Sequence, residues 1–594
     1  MGQAKTFKLF LIKPSHYDDD GYVIQWWRSG IPSNSLAVMN GLSLDCAERR
    51  VLGDGVEFDI TLMDETNTRI RPQKIARAIA AARQAGGGGM VGMVGVQSNQ
   101  FPRTMDIVRE LRAADAPVCI GGFHVSGSVS MFDDLSPDLK DAQLLGVSLY
   151  AGEAEGGRLD EVFQDAMADQ LKPLYNHIRN LEELPSIEDA PFPILPADVT
   201  KRVAGMNSTF DAGRGCPFQC SFCTIINVQG RKSRFRSADD VEKIVRANLA
   251  RGVSRLLITD DNFARNKNWE AIFDRLIELR ESEGLKVKLV LQVDAMCHKT
   301  KNFIEKSARA GVKRVFIGVE NINPDNLVEA NKRQNNITEY RRMLLAWKKA
   351  RVITYVGYIL GFPADTPESI ARDVEIIKRE LPVDILEFFY LTPLPGSVDH
   401  RTMLQKQVSM DEDLNTYDLN HVCQNHATMS KETWQQVYRS AWDQYYTDEH
   451  IDTVLKRGFA NRISLDALLF MLIWFYGGLV NEGVHPLEAG FLRRKYRADR
   501  RPGMPREWPG IFHLKWLGHI ARVHVRLGQL VVRWGRMHLR IKHDPTARAY
   551  TDLALTPPSD NELEELDMFS QTQGGKAAVA RATKAKARGA AGAE

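Results

Sequence analysis

The stretch DAGRGCPFQCSFCTI, residues 211–225, places three cysteines within eight positions. Cys216, Cys220 and Cys223 are separated by three and then two residues, directly after a strand-like run. Iron–sulfur clusters need soft thiolate ligands, and a short loop containing glycine and proline can wrap three of them around one cubane. Three local ligands leave the fourth iron open, and an open position distinguishes catalytic metal sites from structural ones. The loop therefore predicts a [4Fe-4S] cluster with an open iron.

Zinc binding and chance spacing are the alternative interpretations of this loop. Zinc would need a fourth Cys or His nearby, and between Ser208 and Arg251 there is none besides the three cysteines. Only seven cysteines occur in 594 residues, so three in one loop are hard to attribute to chance. Sparse cysteines also argue against a secreted disulfide framework, which favours a reduced, cytoplasmic protein.

The segment CPFQCSFC, residues 216–223, resembles the CxxxCxxC loop of the radical S-adenosylmethionine (SAM) superfamily, including the aromatic Phe222 before the last cysteine. The resemblance covers roughly residues 205–400. It implies a [4Fe-4S] cluster whose open iron binds the amino and carboxylate groups of SAM. It also implies an enzyme in which one electron from the cluster cleaves SAM to a 5′-deoxyadenosyl radical, which abstracts a hydrogen atom from the substrate.

Strand-like runs alternate with amphipathic helices from Thr209 onward. The runs are LLITDDNF, KLVLQVDA, RVFIGVEN, TYVGYILGFP and DILEFFYLTPLP. This alternation is typical of a (β/α) barrel, which places functional residues at the carboxyl ends of its strands. We expect a full or partial barrel over residues 205–425.

Polar residues and glycines end successive strands of this barrel, and the resemblance implies that they hold SAM. They are Asp260, Asp261, Asn262, Gln292, Asp294, Glu320 and the segment Gly357–Gly361, in which Gly361 is the residue expected to shape the pocket. In the family, the strand end after the cluster holds the SAM amino group, the next meets the ribose or carboxylate, and later ones shape the pocket. Such strand ends converge on one ligand site. An exposed carboxylate or a helix cap is the alternative for each.

The first part of the chain, residues 1–165, also alternates strand and helix signals. Apolar runs such as FKLFLIKPS, VEFDITLMDE and MVGMVGVQSN predict a doubly wound parallel sheet with a ligand site at the carboxyl ends of its strands. After the strand PVCIGG, the segment FHVSGSV is predicted to be a loop. Residues 166–204 hold many prolines and little periodicity, which indicates a linker draped over a neighbouring surface.

A doubly wound domain ahead of such a barrel resembles the cobalamin-binding domain of one radical SAM subfamily. The matching features are Ser98 and Asn99 after the third strand, Gly121 and Gly122 after the fourth, and GEAE at 152–155. Glycines let the backbone approach a flat macrocycle, and small polar residues can contact its nucleotide tail. The chain departs from the DxHxxG motif, and His124 follows the wrong strand, so a histidine ligand to cobalt is in doubt. The alternative is a domain that binds nothing or binds substrate.

The remaining chain reads as a mostly helical region, residues 426–560, and a disordered basic tail, residues 561–594. The longest apolar run, residues 467–480, is shorter than the ~20 residues that cross a bilayer, so we expect a buried or interfacial helix and no membrane span.

An amphipathic, arginine-rich helix is predicted over residues 515–543. It can lie in a membrane interface at the inner membrane face, or pack on the barrel with a solvated basic face. No nucleic acid is expected, because stacking aromatics are scarce there and the formal net charge of the chain is only +3.

The resemblance favours cobalamin-dependent methylation of a carbon in a small-molecule or lipid-like substrate, with an electron donor such as flavodoxin or ferredoxin. A cyclase or oxidative enzyme without methyl transfer is an alternative. Methylthio-transferring tRNA enzymes are disfavoured, because only Cys46 and Cys119 could serve their second, N-terminal cluster. A further alternative is a non-catalytic iron–sulfur sensor or electron carrier, in which Cys297 or Cys423 would close the cluster.

Overall fold

Two six-stranded sheets organise the computed structural model, which describes residues 5–178, 181–332, 334–557 and 566–591. The strands of the first part are β1 (Lys5–Lys13), β2 (Gln25–Ser29), β3 (Val56–Asp64), β4 (Gly88–Met93), β5 (Val118–Gly121), β6 (Ser148–Ala151) and β7 (Leu174–Asn176). The helices are α1 (Asn34–Glu48), α2 (Pro72–Gln84), α3 (Phe101–Arg112), α4 (Phe123–Met131), α5 (Pro137–Leu144) and α6 (Arg158–Met167).

The first sheet is parallel throughout, in the order β3-β1-β4-β5-β6-β7. Its central strand β4 is buried along its whole length, which explains why it reads as an uninterrupted apolar run. Separate apolar clusters cover the two faces, one around Ile12 and Ile107 and the other around Leu9 and Phe163. The predicted doubly wound sheet is confirmed.

Two local features of this part differ from the sequence prediction. The segment FHVSGSV, expected as a loop, lies in helix α4, where Gly122 (φ 144°) turns the chain out of β5. Strand β7 falls inside the stretch 166–204 predicted as a linker, and it adds the sixth strand to the sheet through Leu174–Asn176. Its three residues are too few to give a period-two signal.

The second sheet begins after the proline-rich stretch. Its strands and those of a small ribbon beside it are β8 (Asn207–Phe210), β9 (Gly213–Arg214), β10 (Arg234–Phe235), β11 (Arg255–Ile258), β12 (Lys288–Asp294), β13 (Val312–Glu320), β14 (Ile353–Leu360) and β15 (Ile385–Tyr390). The helices are α7 (Ala197–Thr200), α8 (Ile225–Val228), α9 (Ala238–Ala250), α10 (Trp269–Ser282), α11 (Phe303–Ala310), α12 (Pro324–Glu329), α13 (Tyr340–Lys349), α14 (Pro367–Glu380) and α15 (Val398–Gln405).

This second sheet is a partial barrel, parallel throughout, in the order β15-β14-β13-β12-β11-β8. Helices α9, α10, α11 and α13 bury their apolar faces against it in the largest core of the molecule. Among the described residues, β8 and β15 do not pair with each other, so the barrel is open on that side. The sequence prediction of a full or partial barrel is confirmed in its partial form.

Helices make up most of the last part of the chain. They are α16 (Lys431–Tyr445), α17 (Asp448–Ala460), α18 (Leu465–Glu482), α19 (Pro509–His543), α20 (Asp567–Ser570) and α21 (Gln573–Ala591), with one strand, β16 (Gly490–Arg494). Strand β16 pairs antiparallel with β2, so the C-terminal region contacts the N-terminal domain directly.

The end of the chain is folded where the structure describes it, whereas the sequence predicted a disordered tail over residues 561–594. Leu566, Met568, Phe569 and Val579 are buried in the barrel core. The Glu380 carboxylate accepts the backbone N–H groups that open α20, from Asp567 at 3.0 Å and Met568 at 3.1 Å. The sequence prediction failed because these few buried apolar residues lie in or next to a stretch of low-complexity, basic composition.

One helix among the described residues, α18, is long and apolar enough to cross a membrane, and 39% of it is buried inside the protein. Its buried face, which includes Leu468, Leu472 and Phe475, packs in the barrel core and against α19. The core helix of a globular protein has the same length and composition, so the predicted buried or interfacial helix accounts for this segment.

Candidate active site

The loop that carries the three cysteines is held at its start by Asp260. This carboxylate, at the end of β11, accepts backbone N–H groups from Ala212 at 2.8 Å and Gly213 at 2.7 Å, and the Asn266 amide at 2.9 Å. Next in the loop, Gly215 has φ 86°, and a Cβ there would lie 2.3 Å from the Lys232 carbonyl. Asp260 therefore positions the loop, and the SAM-binding role that the resemblance implied for this strand end stays a prediction.

Cys216, Cys220 and Cys223 are free thiols that lie near one another on this loop. Burial raises the pKa of Cys216 and raises that of Cys223 to about 12, and the charges of Cys220 and Asp261 add to both effects. A thiol with a raised pKa stays protonated at neutral pH, and a metal ion that binds its sulfur displaces the proton. Metal binding at this loop would therefore release protons. Three soft donors on one short loop fit an iron–sulfur cluster.

The two cysteines proposed as fourth ligands lie elsewhere. Cys297 is fully buried in the barrel core, where its sulfur contacts the Trp347 indole. Cys423 is buried beside Thr392, next to the charges of Asp418 and Asp411. Cys297 and Cys216 both lie within the electrostatic range of Asp294 and Arg265. The cluster loop supplies three thiols, and the open position at the fourth iron stays a prediction.

Asn262 and Asp294, predicted to bind SAM, form one hydrogen-bonded unit. The Asn262 amide donates to Asp294 Oδ2 at 2.9 Å, and Arg265 donates to both Asp294 oxygens at 2.7 and 2.9 Å. The guanidinium of Arg265 also lies 5.6 Å from the Phe218 ring inside the cysteine loop. Arg265, which the sequence analysis did not select, thus joins the strand end to the loop. Gln292 lies two residues earlier on β12, half-buried.

Glu320 and Phe222 lie together on the far side of the loop. Glu320, in the left-handed region at φ 63°, pairs with buried Lys332, whose ammonium lies 5.7 Å from the Phe222 ring centre. Phe222 packs with Ile359 and Leu391 at the ends of β14 and β15. The Gln334 amide donates to Cys220 Sγ at 3.4 Å. Lys332 and Gln334 could not be selected from the sequence, since they occur in no motif.

Close packing against Trp434 requires a glycine at position 361. Gly361 adopts φ 99°, and a Cβ would lie 1.8 Å from the Trp434 ring. Its N–H donates to Asp365 at 3.0 Å. These contacts explain the glycine without a ligand, so the pocket-shaping role predicted for Gly361 stays a prediction.

A cavity of about 310 Å³, which we call the glycine-walled cavity, lies at the carboxyl ends of the first sheet. Gly92, Gly95, Gly121, Gly122 and Gly152 are in its wall. It continues as an apolar slot between the sheet and helices α1 and α6. A bare backbone wall and a slot beside it fit the flat macrocycle and buried nucleotide tail of a cobalamin.

Asp261 links this cavity to the barrel. Its side chain projects into the space between the two sheets, where it lines the glycine-walled cavity and a neighbouring cavity of about 520 Å³, the central cavity. The surrounding protein raises the pKa of Asp261 to about 7. Because Asp261 also acts electrostatically on Cys216 and Cys223, the cysteine loop and both cavities meet at this residue.

Ser98, predicted to contact the cobalamin tail, lines the central cavity instead. Its hydroxyl lies 3.1 Å from His124 Nδ1, and the other ring nitrogen of His124 lies 2.6 Å from Asp138. His124 is buried and occupied by these partners, which agrees with the doubt about a histidine ligand. Asn99 donates to Glu488 at 3.1 Å, so this loop faces the C-terminal region.

A chain of acid and imidazole groups lines the central cavity and was not found from the sequence. His16 Nε2 lies 3.5 Å from Glu488 and 3.6 Å from Asp418. Asp418 binds His421 at 2.8 Å, and His421 reaches the exposed Asp19 at 3.0 Å. Burial alone would lower the pKa of His16, but the two carboxylates raise it. These residues lie about 400 positions apart in sequence, so no local pattern connects them.

A buried ion cluster joins the two domains next to Asp261. Arg214 pairs with Asp211 at 2.8 Å, Glu153 at 3.1 Å and Glu155 at 2.5 Å, and Arg234 makes two contacts of 2.6 Å to Glu153. The two glutamates belong to the GEAE segment of the first domain. This cluster fixes the first domain against the start of the cysteine loop.

Comparison with known proteins defines the class. Residues 212–377, which hold the cysteine loop and most of the barrel, match the family model of the radical SAM superfamily. Over this range the chain matches the radical SAM superfamily, as the resemblance of the cysteine loop predicted.

The chain is similar to two methyltransferases of known name. Bacteriochlorophyllide d C-12(1)-methyltransferase of Chlorobaculum tepidum is 26% identical over 61% of this chain and 74% of its own length. Hopanoid C-2 methylase of Rhodopseudomonas palustris is 24% identical over 49% of this chain and 53% of its own length.

Solved structures agree on the two-domain fold. The cobalamin-dependent SAM radical enzyme OxsB, bound to aqua-cobalamin and SAM, has a TM-score of 0.53 at 12% identity, covering 92% of this chain and 82% of its own. The radical SAM methyltransferase TsrM of Kitasatospora setae has a TM-score of 0.51 at 15% identity, covering 68% and 79%. The chain thus has the fold of cobalamin-dependent radical SAM enzymes.

Proposed function

We propose that this protein is a cobalamin-dependent radical SAM methyltransferase that methylates a carbon of a small, lipid-like substrate. The observation that carries the proposal is the position of Asp261, which borders the glycine-walled cavity, the central cavity and the cysteine loop at once. Methyl transfer of this kind needs the substrate to reach both cofactors from one place, and the central cavity offers that place.

The residues that would hold each group follow from the site. Cys216, Cys220 and Cys223 would hold the cluster, Asn262 and Asp294 would meet SAM, and the glycine wall would hold cobalamin. When bound, the cluster and SAM supply the one-electron chemistry that activates a substrate C–H bond, and cobalamin supplies the methyl group.

The protein's own contribution is positioning. Asp260 fixes the loop backbone and Arg265 braces Asp294, so both strand ends keep their geometry before any ligand arrives. The ion cluster around Arg214 holds the two domains together across the central cavity. Such preorganisation lowers the cost of bringing reacting groups together. Asp261 and His16 are two of the titratable side chains that line the central cavity.

A lipid-like substrate is supported by two observations. The relatives named above act on a bacteriochlorophyllide and a hopanoid, according to their names. Large apolar side chains are also exposed at the start of α19: Trp508, directly before the helix, and Leu514 are each 74% exposed, and Leu517 is 57% exposed. We propose that this surface touches the inner face of the membrane.

Some arginines on the basic face of α19 form ion pairs with other parts of the protein. Arg533 pairs with Asp448 at 3.1 Å and Arg540 with Asp452 at 2.5 Å, while Val523 and Trp534 are buried against the protein. These contacts support packing of the helix against the protein, and membrane contact is proposed for the exposed apolar side chains before Val523. A flavodoxin or ferredoxin is proposed as the electron donor, and the protein as cytoplasmic apart from this contact.

A single-turnover assay tests the proposal. The full chain, reconstituted with iron, sulfide and cobalamin, is reduced anaerobically with SAM, and S-adenosylhomocysteine and 5′-deoxyadenosine are quantified. Both products are expected from the wild-type protein, and no 5′-deoxyadenosine from Cys220→Ala. If 5′-deoxyadenosine forms without S-adenosylhomocysteine, the methyl-transfer proposal is wrong and the cyclase or oxidative alternative replaces it.

A further inference from the structure

A cavity of about 360 Å³ lies at the amino ends of the barrel strands, opposite the cysteine loop, and we call it the basal cavity. Its barrel wall carries Asn207, Arg255, Arg314 and Tyr355, each near the start of a different strand. Functional sites in barrels usually lie at the other end, so polar groups collected here need a separate explanation.

The two arginines of this wall have no anionic partner in the part of the chain that the structure describes. Arg314 donates to the Met471 sulfur at 3.2 Å, and Arg255 donates to the Gly205 carbonyl at 3.4 Å. Among the residues that the structure describes, no carboxylate forms an ion pair with either guanidinium. Burial lowers the pKa of Arg314, and the charge of Arg255 lowers it further. A half-buried cation without a counter-ion is costly, and a bound anion would remove that cost.

The opposite wall of the basal cavity is apolar and aromatic. Phe470, Trp474 and Phe475 of α18 face Phe491 of β16 and Leu487 across it. Phe470 is 49% exposed and Phe491 41% exposed, so the cavity opens to the surface between apolar side chains. An apolar mouth above a pair of arginines matches a ligand with an apolar body and one anionic end.

The basal cavity leads toward the site of chemistry. Five residues line both it and the central cavity, namely Gly30, Ile31, Pro32, Leu257 and Leu487. Leu257 lies on β11, and the other four lie outside the barrel strands. Asp261 also lines the central cavity, so a ligand that extends from the basal cavity past these residues enters the space between the cofactor sites.

We propose that the basal cavity binds an anionic amphiphile, a chain or ring system that carries one carboxylate or phosphate. The anion binds Arg314 and Arg255, since a guanidinium pairs well with either group. The apolar body lies against the aromatic wall and reaches the central cavity past the five residues that line both cavities. This inference rests on the proposed function and deepens it, because it names the substrate class as an anionic amphiphile.

Calorimetric titration of the cluster-loaded full chain, without SAM, tests the site. The probes are laurate, dodecyl phosphate, neutral dodecanol and inorganic phosphate. We expect the two anionic amphiphiles to bind at least about tenfold more tightly than dodecanol, and inorganic phosphate to bind weakly. Arg314→Met should remove this preference, and Arg314→Lys should keep part of it because the charge remains.

Lys313→Met is the matched control. It removes a positive charge from the neighbouring position of β13, where the exposed Lys313 does not line the basal cavity, and should leave laurate binding unchanged. If laurate and dodecanol bind wild-type protein equally, or inorganic phosphate binds as tightly as laurate, the proposal is wrong. Laurate binding is measured without SAM, so a failure here differs from a failure of wild-type protein to cleave SAM, which counts against the proposed function alone.

Discussion

His421 lies between the carboxylates of Asp418 and Asp19, which raise its pKa to about 10 against the opposing effect of burial. A pKa raised on folding means that the folded state binds the proton more tightly. The stabilisation is fully present below the unfolded pKa of about 6.5 and is lost as the pH rises through 10. His421→Gln should therefore lower the free energy of unfolding by about 1–3 kcal/mol at pH 6 and much less at pH 10.5.

Urea unfolding at the two pH values measures this difference. His524→Gln is the control, because His524 is exposed on α19 and bonds only the carbonyl one turn earlier. An equal loss of stability at both pH values would mean that His421 acts as a neutral hydrogen-bonding group.

Cys297 and Cys423 are the cysteines that the sensor interpretation needs as a fourth ligand, so replacing Cys297 helps to distinguish it from the catalytic interpretation. Cys297→Ala should retain full iron and sulfide content, whereas Cys216→Ala should lose most of both. The physical reason is that Cys297 is enclosed in the apolar core beside Trp347. Iron and sulfide analysis after anaerobic reconstitution gives the answer, and SAM should perturb the paramagnetic resonance spectrum of the reduced Cys297→Ala cluster. Loss of the cluster in this variant would favour a closed site.

At the scale of elements, the end of β5 tests the cobalamin site without disturbing the fold. A Cβ at Gly121 would meet no atom nearer than 3.5 Å, yet the residue is in the wall of the glycine-walled cavity. Gly121→Leu should therefore fill the cavity and weaken cobalamin binding by at least about tenfold, while the cluster still assembles.

Absorbance spectra after desalting report the cobalamin that remains bound. Gly55→Leu is the control, since its Cβ would meet nothing within 4 Å in a loop away from the cavity. Undiminished cobalamin retention in Gly121→Leu would place the cofactor elsewhere or exclude this cavity as its site.

Helix α20 gives a second prediction at this scale. Phe569 is 2% exposed in the barrel core, so Phe569→Ala should cost about 3–5 kcal/mol in the free energy of unfolding. Lys584→Ala, on the exposed side of α21, should change it by less than about 0.5 kcal/mol. Thermal and urea unfolding distinguish the two variants. Equal, negligible effects would restore the prediction of a disordered tail.

The sequence predicted the elements whose pattern is contained within a short stretch of the chain. Buried parallel strands such as β4 and β12 read as apolar runs, and the cysteine loop carries its whole pattern in eight positions. The pairing of β2 with β16 and the chain from His16 to Asp418 were missed, because their partners lie hundreds of residues apart. Helix α4 was missed because FHVSGSVSM is rich in small and β-branched residues, which are weak helix formers.

At the scale of the whole molecule, the central cavity exists because three parts of the chain surround it. The first domain contributes His16 and Ser98, the barrel contributes Asp261, and the C-terminal region contributes His485 and Glu488. Strand pairing between β2 and β16 closes this arrangement on one side. The C-terminal region therefore completes the substrate space.

The ion cluster at the domain junction should decide how firmly the two domains stay together. Arg234 donates to both Glu153 oxygens and to the carbonyls of Pro185 and Gln229, and all of these contacts are largely buried. Arg234→Met leaves Glu153 with Arg214 as its remaining ion-pair partner. Because breaking a buried ion pair leaves an under-compensated charge, the variant should lose about 3–5 kcal/mol of stability and expose residues 166–204 to protease.

Urea unfolding and limited proteolysis measure the two effects. Arg50→Met, which breaks an exposed pair with Asp54, should cost less than about 1 kcal/mol and leave the cleavage pattern unchanged. If Arg234→Met behaves like Arg50→Met, the ion cluster does not hold the domains, and the central cavity must be maintained by the β2–β16 pairing alone. If only proteolysis increases, the cluster controls domain contact without controlling global stability. That result would make the junction a hinge through which substrate could reach the cofactors.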